Sequence, residues 1–514
     1  MKKHFHKILF IITIAIMTLI MTQTLTDFIK LKPLKGAMVK AEMPDFNFKN
    51  YVDGSFQSGI EAYGKDNFGF HEWLIRLYNQ YLWSCFKMIN NNNILLGKDR
   101  WLYEINYVKD HYESMMYDYA NDSIEMKKRF ETEALRLWKV QELLKEHDIY
   151  IFVSMIPGKD VIYPEFLPQN TMFHNPKGVH AYDFYKKRFD ELGVNCIDFV
   201  ENFKNIKNSV YYQLFPKTGT HWSNIAAVHV TDTIINYMEA ISGKNLVNIE
   251  IGEPYESSAR EPDDDLEQLL NLAFKIKSKP YLYANVKSAD DPTATKPYIT
   301  VIGDSFYRNI MLSVPLNDIF EKAPYWYYNS TIYCDDLHHS TSEIDFNQEL
   351  MRTDFIMLNY CTVQIYDLGN KFISKALINL CYDKSTVDSV TEKVINDIKS
   401  NEQWYQNIVE KAQNLNISVD EALFNDANYM INLYPENYFE ELKGEELPIS
   451  RNQDLFNIRN NIINASQNEL QNMINRIYSD HDWLESVRNK AEKNGVTLQE
   501  QVELDAQWVL SNKQ

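Results

Sequence analysis

The sequence is poor in cysteine and in positive charge for its length. Its 514 residues include five cysteines, which are scattered, odd in number and free of any Cys-x-x-Cys pair. Neither a disulfide framework nor a metal site is therefore expected. The 52 lysines and arginines are outnumbered by 71 aspartates and glutamates, so the net charge is −19. Nucleic acid is not an expected partner, because neutralising phosphates requires an excess of basic residues.

The composition is otherwise that of a folded protein of several domains. Hydrophobic residues make up 45% of the chain and charged residues 24%, which excludes a largely disordered chain. Aromatic residues reach 13%, with 33 tyrosines and 27 phenylalanines. The length predicts two to four domains.

Positive charge is concentrated at the N-terminus. Residues 1–40 contain seven lysines and one acidic residue, a net charge of +6 that leaves −25 on the rest of the chain. The lysines flank an apolar run that extends from Ile8 to Thr26, about the length needed to span a bilayer. No small-residue cleavage site and no lipid-acceptor cysteine follow. We interpret residues 1–30 as a signal anchor in the plasma (inner) membrane, with the remainder on the exocytoplasmic or periplasmic side. A cleaved signal peptide is the alternative, and a buried core helix is disfavoured by the basic flank.

Two further regions precede the C-terminal part of the chain. Residues 31–120 read as an irregular, partly helical segment that packs on the core. Residues 121–384 alternate apolar runs with amphipathic helical stretches, which predicts a mostly parallel sheet with helices on both faces. The predicted strands are Ile149–Met155, Val194–Asp198, Tyr298–Ile302 and Phe355–Leu358. The fold class is therefore α/β, and an all-α extension follows from residue 385.

The C-terminal extension contains an internal duplication. Residues 398–432 align with residues 477–512 at an offset of 79, and Trp404 meets Trp483. Ser418 and Thr497 stand at the N-cap position of the second helix of each copy. We predict a duplicated helix-pair module that serves docking or assembly rather than catalysis.

The strongest chemical signals are one serine and one histidine. An apolar strand delivers Ser305 at a tight turn in Val-Ile-Gly-Asp-Ser-Phe, where a hydroxyl is exposed near backbone N–H groups. His221 lies in a polar loop, Lys-Thr-Gly-Thr-His-Trp-Ser, just before a long helix. This placement suits a general base that reaches a serine from a neighbouring loop. Alone, each signal is equally compatible with a plain turn or a structural histidine.

Several sequence blocks together resemble a known family. They occur in the family's order: NFGFHEWLIRLYN, LLGKDRWLYE, SMIPGKDVIYPEFLP, PKTGTHWSN, DDDLEQLLNL and VIGDSF. Over about residues 50–380 the chain resembles the SGNH-hydrolase-like O-acetyltransferases of exported polysaccharides, of the alginate acetylation (AlgX/AlgJ-like) type. The resemblance implies a flavodoxin-like three-layer α/β sandwich. It also implies Ser305 as the nucleophile and His221 as its base.

One position departs from the family pattern. The family usually carries an aspartate two residues before the histidine, where this chain has Gly219. A triad acid orients the imidazole and stabilises the imidazolium, and removing it costs orders of magnitude in rate. Either another carboxylate replaces it, or a Ser–His dyad suffices, or activity is weak or lost. The candidate acids are Asp198, Asp335 and Asp336.

Other side chains are candidates for substrate or oxyanion binding. Lys159 and Tyr163 follow a predicted strand, at the edge where such sheets bind ligands. Arg308 lies one turn past Ser305, and Asn359 follows a predicted strand. The aromatic run Tyr325–Tyr328 suits stacking on sugar rings, although alternate residues of a strand face the core.

The function implied by the resemblance is O-acetylation of an exported cell-envelope polysaccharide through a Ser–His acyl-enzyme. A membrane-bound O-acyltransferase that supplies the acetyl group is the implied partner, and no cofactor is expected. Two alternatives stay open: an acetyl esterase with water as the acceptor, and a non-catalytic glycan-binding or assembly protein with a degenerate site.

Overall fold

A computed structural model describes residues 2–36, 39–112, 123–168, 180–334, 337–450 and 452–511. The N-terminal region contains five helices and one short hairpin. The elements are α1 (Lys2–Thr26), α2 (Phe48–Val52), α3 (Ser55–Asn67), α4 (His71–Tyr81), β1 (Ile94–Leu96), β2 (Leu102–Glu104) and α5 (Ile105–Tyr112). Helix α1 has a mean hydropathy of 2.2 over Phe5–Thr26, and most of that stretch is exposed. It is long and apolar enough to cross a membrane, and it is not the buried helix of a core.

The central region alternates helices and strands. Its first half contains α6 (Ser123–Lys145), β3 (Tyr150–Ile156), α7 (Lys159–Ile162), α8 (Ala181–Leu192), β4 (Cys196–Asp198), α9 (Phe199–Ile206), α10 (Asn224–Ser242), β5 (Ile249–Ile251), β6 (Tyr255–Ser257) and α11 (Asp265–Leu269). Its second half contains β7 (Tyr281–Tyr283), β8 (Val286–Ser288), β9 (Ile299–Gly303), α12 (Tyr307–Ser313), α13 (Leu316–Ile319), β10 (Tyr325–Tyr327), β11 (Thr331–Cys334), β12 (Leu337–Ser340), α14 (Phe346–Arg352), β13 (Phe355–Cys361) and α15 (Phe372–Cys381).

Seven strands form one mixed sheet in the order β12-β11-β10-β9-β13-β3-β4. The five strands from β10 to β4 are parallel, and β11 and β12 add an antiparallel hairpin at one edge. All four predicted strands are present, so the α/β prediction is confirmed. The hairpin of β11 and β12 was not predicted, because its residues do not form an apolar run.

Both faces of the sheet are covered, as expected for a three-layer sandwich. Alternate side chains of a strand point to opposite faces. Leu358 and Tyr360 of β13 therefore join a core with α6, α8 and α15, whereas Met357 and Cys361 join a core with α9, α10 and α12. The second of these cores lies beneath the loops that carry the histidine and the serine.

The described residues of the C-terminal region form helices joined by loops, with no strand among them. The region comprises α16 (Lys384–Ser400), α17 (Glu402–Leu415), α18 (Val419–Leu433), α19 (Pro435–Tyr438), α20 (Gln453–Ser479), α21 (His481–Asn494) and α22 (Leu498–Ser511). Ser418 accepts a hydrogen bond from the Glu421 N–H, and Thr497 accepts one from the Glu500 N–H. Both N-cap predictions are confirmed. The boundaries at residues 30, 120 and 384 stay predictions.

A further helix precedes the helix pair of each predicted copy. Val394 and Ile398 of α16 are buried, and the positions 79 residues later, Met473 and Ile477 of α20, are buried as well. Helices α16–α18 (the first helical unit) thus correspond to the second half of α20 with α21 and α22 (the second helical unit). The first unit shares its core with the sheet, whereas the second has a separate apolar cluster.

Candidate active site

Ser305 lies at the carboxyl end of the central strand β9, between that strand and α12. The turn is tight because a Cβ at Gly303 would lie 2.0 Å from the Asn359 carbonyl oxygen of β13. Asp304 closes the turn: its carboxylate accepts hydrogen bonds from the Phe306 N–H at 3.1 Å and the Cys361 N–H at 2.6 Å. Burial raises the pKa of Asp304 to about 6, against the effect of these bonds. The Ser305 side chain is left half-buried at the sheet edge.

His221 faces Ser305 across this edge. Its Nε2 lies 2.8 Å from the Ser305 Oγ. The loop that carries it is closed by Ser223, whose N–H donates to the Leu214 carbonyl at 2.8 Å. The Asn309 amide of α12 donates to the Trp222 carbonyl at 2.7 Å, which ties this loop to the helix that follows the serine. Serine and histidine are therefore fixed relative to each other by backbone contacts as well as by their own hydrogen bond.

The carboxylate that reaches His221 is Asp265, at the start of α11. Its Oδ2 lies 2.7 Å from the His221 Nδ1. Its Oδ1 accepts hydrogen bonds from the Thr220 N–H at 2.8 Å and from the Leu266 N–H at 2.6 Å. Both oxygens are thus occupied, which fixes the plane of the carboxylate against the imidazole. Ser305, His221 and Asp265 form one continuous chain of hydrogen bonds.

Asp265 supplies the carboxylate that the family pattern would place at position 219, where this chain has glycine. A Cβ at Gly219 would lie 2.8 Å from the Asp263 carbonyl oxygen and 2.8 Å from the Pro216 Cγ. The segment that leads to Asp265 therefore occupies the space that a side chain at position 219 requires. Because a carboxylate faces His221 by this route, the glycine alone is no argument for a degenerate site.

Residues of the N-terminal region pack against the segment that carries Asp265. Leu266 and Leu270 are buried with Trp83 and Leu102 in a small apolar cluster. The Asn79 amide also donates to the Leu270 carbonyl at 2.9 Å. Residues far upstream of the α/β sheet thus position the acid of the site.

The predicted triad acids do not include this residue. Asp198 instead caps α9, accepting from the Glu201 N–H at 3.0 Å, and it pairs with Lys186 at 3.0 Å. Asp198 is therefore not the carboxylate that contacts His221, because its oxygens cap α9 and pair with Lys186. Asp335 and Asp336 lie outside the described residues. The missed signal was the acidic triplet at 263–265 within a block already noted.

Lys159 and Tyr163 lie beneath the histidine loop instead of facing substrate. The Lys159 ammonium donates to the carbonyls of Pro216, at 3.1 Å, and Gly219. The Tyr163 hydroxyl accepts from the Leu214 N–H at 3.2 Å. Both side chains are buried, and burial lowers the pKa of Lys159 to about 7. The expectation that they bind substrate is corrected: they position the loop.

Arg308 and Asn359 differ in their exposure. Arg308 lies on the exposed side of α12 and pairs with Glu261 at 3.0 Å. Asn359 is fully buried, and neither of its side-chain polar atoms has a hydrogen-bond partner in the described part of the chain. It pairs in register with Gly303, so its side chain lies on the face of the sheet that also carries Phe306 and Trp222. An unpartnered amide next to the nucleophile turn is a donor available to a ligand.

A second carboxylate adjoins this arrangement. Glu104, at the end of β2, accepts a hydrogen bond from the Thr220 hydroxyl at 3.3 Å. Burial raises its pKa, and the nearby Asp265 adds to that rise while His221 opposes it. No cluster of metal-ligating side chains occurs among the described residues.

Comparison with family models finds one match, and it includes this site. Residues 94–313 match the model of the SGNH hydrolase-like domain of acetyltransferase AlgX. The matched segment contains Ser305, His221 and Asp265, and it is narrower than the 50–380 expected from the sequence blocks. A search of the curated proteins finds no match.

Solved structures of the same kind are distant. The O-acetyltransferase domain of Pseudomonas putida AlgJ is 14% identical over 56% of this chain and 99% of its own, with a TM-score of 0.36. AlgX of Pseudomonas aeruginosa is 12% identical over 55% of this chain and 66% of its own, with a TM-score of 0.33. PatB1 of Bacillus cereus is 13% identical over 46% of this chain and 91% of its own, with a TM-score of 0.28.

Proposed function

We propose that this protein transfers acetyl groups to hydroxyls of an exported cell-envelope polysaccharide through an acyl-enzyme on Ser305. The observation that carries the proposal is the hydrogen-bond chain from Ser305 through His221 to Asp265. The match of residues 94–313 to the model of an acetyltransferase domain supports acyl transfer as the reaction. The apolar helix α1 and its basic flank support a membrane-anchored protein that acts outside the cytoplasm.

The first half-reaction loads the serine. The Ser305 Oγ attacks the carbonyl carbon of an acetyl donor while His221 Nε2 accepts the hydroxyl proton. Asp265 accepts a hydrogen bond from the His221 Nδ1–H and stabilises the imidazolium that forms. The donor's leaving group then departs with the proton held by His221, and acetyl-Ser305 remains. The Asn359 amide and the backbone N–H groups of the turn at Ser305 are the donors we assign to the developing oxyanion.

The second half-reaction transfers the acetyl group to the glycan. A sugar hydroxyl gives its proton to His221 Nε2 and attacks the acetyl carbon, and the Ser305 Oγ leaves and recovers the proton. The same residues hydrolyse the ester when water is the acceptor. We infer that a membrane-bound O-acyltransferase supplies the acetyl groups. Members of the AlgX/AlgJ-like family, which this chain resembles, usually work beside such an enzyme.

The test is acetyl transfer by the full-length protein in detergent. With a chromogenic acetyl ester as donor, we expect one acetyl group on the intact protein by mass spectrometry, and none on Ser305→Ala. Addition of an oligosaccharide acceptor should give acetylated sugar. Release of acetate with no acetylated sugar for any acceptor would favour the esterase. Normal acetylation of the cell's polysaccharide by a Ser305→Ala strain, with loss in a deletion strain, would favour the non-catalytic protein.

A further inference from the structure

A polar cleft opens between the end of the central sheet and the first helical unit. Its volume is about 320 Å³. On the sheet side it is lined by the turn after β10 and by the start of α15, and on the other side by one face of α18. The lining residues are Tyr328, Asn329, Asn370, Lys371, Lys375, Asn428, Tyr429 and Asn432. Two aromatic rings, four amides and two ammonium groups are the side-chain types that bind sugars with acidic substituents.

The two lysines of the cleft are paired with aromatic rings in the part of the chain that the structure describes. Neither Lys371 nor Lys375 lies within ion-pair distance of a carboxylate in the described part of the chain. Lys371 Nζ lies 4.6 Å from the centre of the Tyr429 ring, and Lys375 Nζ lies 4.4 Å from the centre of the Phe346 ring. Because the chain as a whole carries a net charge of −19, an unneutralised pair of cations is a local exception that favours an anionic ligand.

Three of the four amides of the cleft direct their N–H groups to backbone carbonyls, whereas the Asn370 Oδ1 already accepts a hydrogen bond from the Tyr360 hydroxyl. Asn329 Nδ2 donates to the Asn370 carbonyl at 3.1 Å, Asn428 Nδ2 to the Phe424 carbonyl at 2.9 Å, and Asn432 Nδ2 to the Asn428 carbonyl at 2.8 Å. The Asn432 Oδ1 is buried without a partner among the described residues. Carbonyl oxygens in this state are acceptors for the hydroxyl groups of a sugar.

Tyr328 connects the cleft with the nucleophile turn. Its N–H donates to the Gly303 carbonyl at 2.9 Å, and Gly303 stands two residues before Ser305. Tyr328 and Asn329 have φ values of 47° and 50°, a left-handed pair in the turn that connects β10 to the antiparallel strand β11. The cleft therefore begins directly beside the strand end that presents Ser305.

We propose that this cleft binds an anionic segment of the acceptor polysaccharide and that the first helical unit is a glycan-binding element. The sugar rings stack on Tyr328 and Tyr429, and the acidic groups pair with Lys371 and Lys375. This proposal rests on the proposed function for its account of why a glycan is held beside Ser305. It gives the first helical unit a role that the second unit lacks.

The test is binding of defined oligosaccharides to the full-length Ser305→Ala protein in detergent, measured by calorimetry. The probes are an oligogalacturonate, a phosphorylated oligosaccharide and a neutral cello-oligosaccharide. We expect the neutral probe to bind weakest, and the tighter of the two anionic probes identifies the acidic group. Failure of both anionic probes to bind, or equal binding of the neutral probe, would overturn the proposal.

Matched substitutions in the two helical units sharpen the test. Tyr429 and Trp508 occupy the same position of the duplicated unit, 79 residues apart. Tyr429→Ala should weaken anionic binding about tenfold, the loss expected for one stacked ring. Lys371→Gln should weaken it comparably and reduce its salt dependence, because Lys375 remains. Trp508→Ala should bind as the parent does, and equal binding by all three variants would overturn the proposal.

Activity measurements separate this proposal from the proposed function. In the protein with Ser305 intact, Tyr429→Ala should raise the KM for the oligosaccharide acceptor relative to the KM for the chromogenic ester. If the ester is not turned over but the anionic probe binds and depends on Tyr429, the proposed function fails and the binding site stands. If the ester is turned over and Tyr429→Ala leaves both binding and acceptor KM unchanged, the binding site fails alone.

Discussion

The carboxyl edge of the sheet and the C-terminal helices differ in the kind of residue that they bury. At the sheet edge, Lys159, Asp304 and Asn359 are buried, and their polar groups are met by loop carbonyls and backbone N–H groups or left open. In the helical units the buried residues are mostly apolar, and charges such as Lys411 with Asp426 lie nearer the surface. Buried polar groups cost free energy unless they are satisfied, so their concentration at one edge marks the part of the molecule used for chemistry.

The two helical units repeat this contrast on a smaller scale. They share buried positions, N-caps and one ion pair, Lys411–Asp426 in the first and Lys490–Asp505 in the second. Only the first is continuous with the core of the sheet and contributes to the cleft. Duplication thus preserved the internal packing of the unit, while contact with the sheet gave one copy a polar surface of its own.

The largest expected effect is at the acid of the catalytic chain. Asp265→Asn should lower kcat/KM for a chromogenic acetyl ester by roughly 10³- to 10⁴-fold, since an amide no longer favours the required histidine tautomer. Asp198→Asn is the control, because Asp198 caps a helix away from His221, and it should keep most of the activity. Full activity in Asp265→Asn would show that Ser305 and His221 act without this acid.

Restoring the aspartate of the family pattern should not help. Gly219→Asp should lower activity by about 100-fold, because its Cβ displaces the segment that carries Asp265 and small misplacements of catalytic groups have effects of this size. The double variant Gly219→Asp with Asp265→Asn should stay inactive in the same ester assay. Recovery of activity in the double variant would mean that the loop accommodates an acid at either position.

Lys159 should make stability depend on pH. Burial lowers its pKa to about 7 in the folded protein, whereas the unfolded chain has a pKa near about 10.4. Between these values the unfolded state binds the extra proton, so the free energy of unfolding should rise as the pH rises from 7 toward 10. Lys159→Met should flatten this dependence in urea titrations and also lower ester turnover, because the Pro216 and Gly219 carbonyls lose their donor. An unchanged slope in the variant would contradict the assignment.

Overpacking the two helical units should separate their roles. Ala427 and Ala506 are equivalent, and both are fully buried. Replacing either with Leu should cost about 1–3 kcal/mol. In Ala427→Leu the loss should lower the main calorimetric transition, because the first unit shares its core with the sheet. In Ala506→Leu the loss of stability should produce a separate unfolding transition of the second unit at a lower temperature. Identical behaviour of the two variants would mean that the helices unfold as one body with the sheet.

The smallest effect is expected at the shared ion pair. The lysines are about half exposed, so Lys411→Ala and Lys490→Ala should each cost at most about 1 kcal/mol, and less at high salt. Chemical denaturation at two salt concentrations measures this. Asp426 also accepts a hydrogen bond from the Trp404 indole at 2.9 Å. A large loss of unfolding free energy in Lys411→Ala alone would show that Asp426 stabilises the first unit more than Asp505 stabilises the second.

Much of the fold followed from local pattern. The predicted, mostly apolar runs are found in the buried strands β3, β9 and β13, and Ser418 and Thr497 cap helices at the predicted positions. The pairing of Ser305 with His221 agrees with the motifs that suggested it. The hairpin of β11 and β12 lacks such a run, and the first helix of each repeat was missed because its similarity lies only in its buried positions.

The acid could not be found by the same means. Asp265 lies 44 residues from His221, on a short helix whose place is set by contacts with Trp83 and Leu102 from the N-terminal region. No spacing rule connects such residues, because their proximity is a property of the tertiary packing. Lys159 and Tyr163 were placed at the correct edge of the sheet, but the sequence does not show that the histidine loop covers them.

The glycine at position 219 has a consequence for how related sequences are sorted. A filter that demands aspartate two residues before the histidine would set this chain aside as a pseudoenzyme. The carboxylate here arrives from outside the motif, on a segment 44 residues downstream. In this chain the acidic triplet at 263–265, and not the short motif, contains the carboxylate that contacts His221.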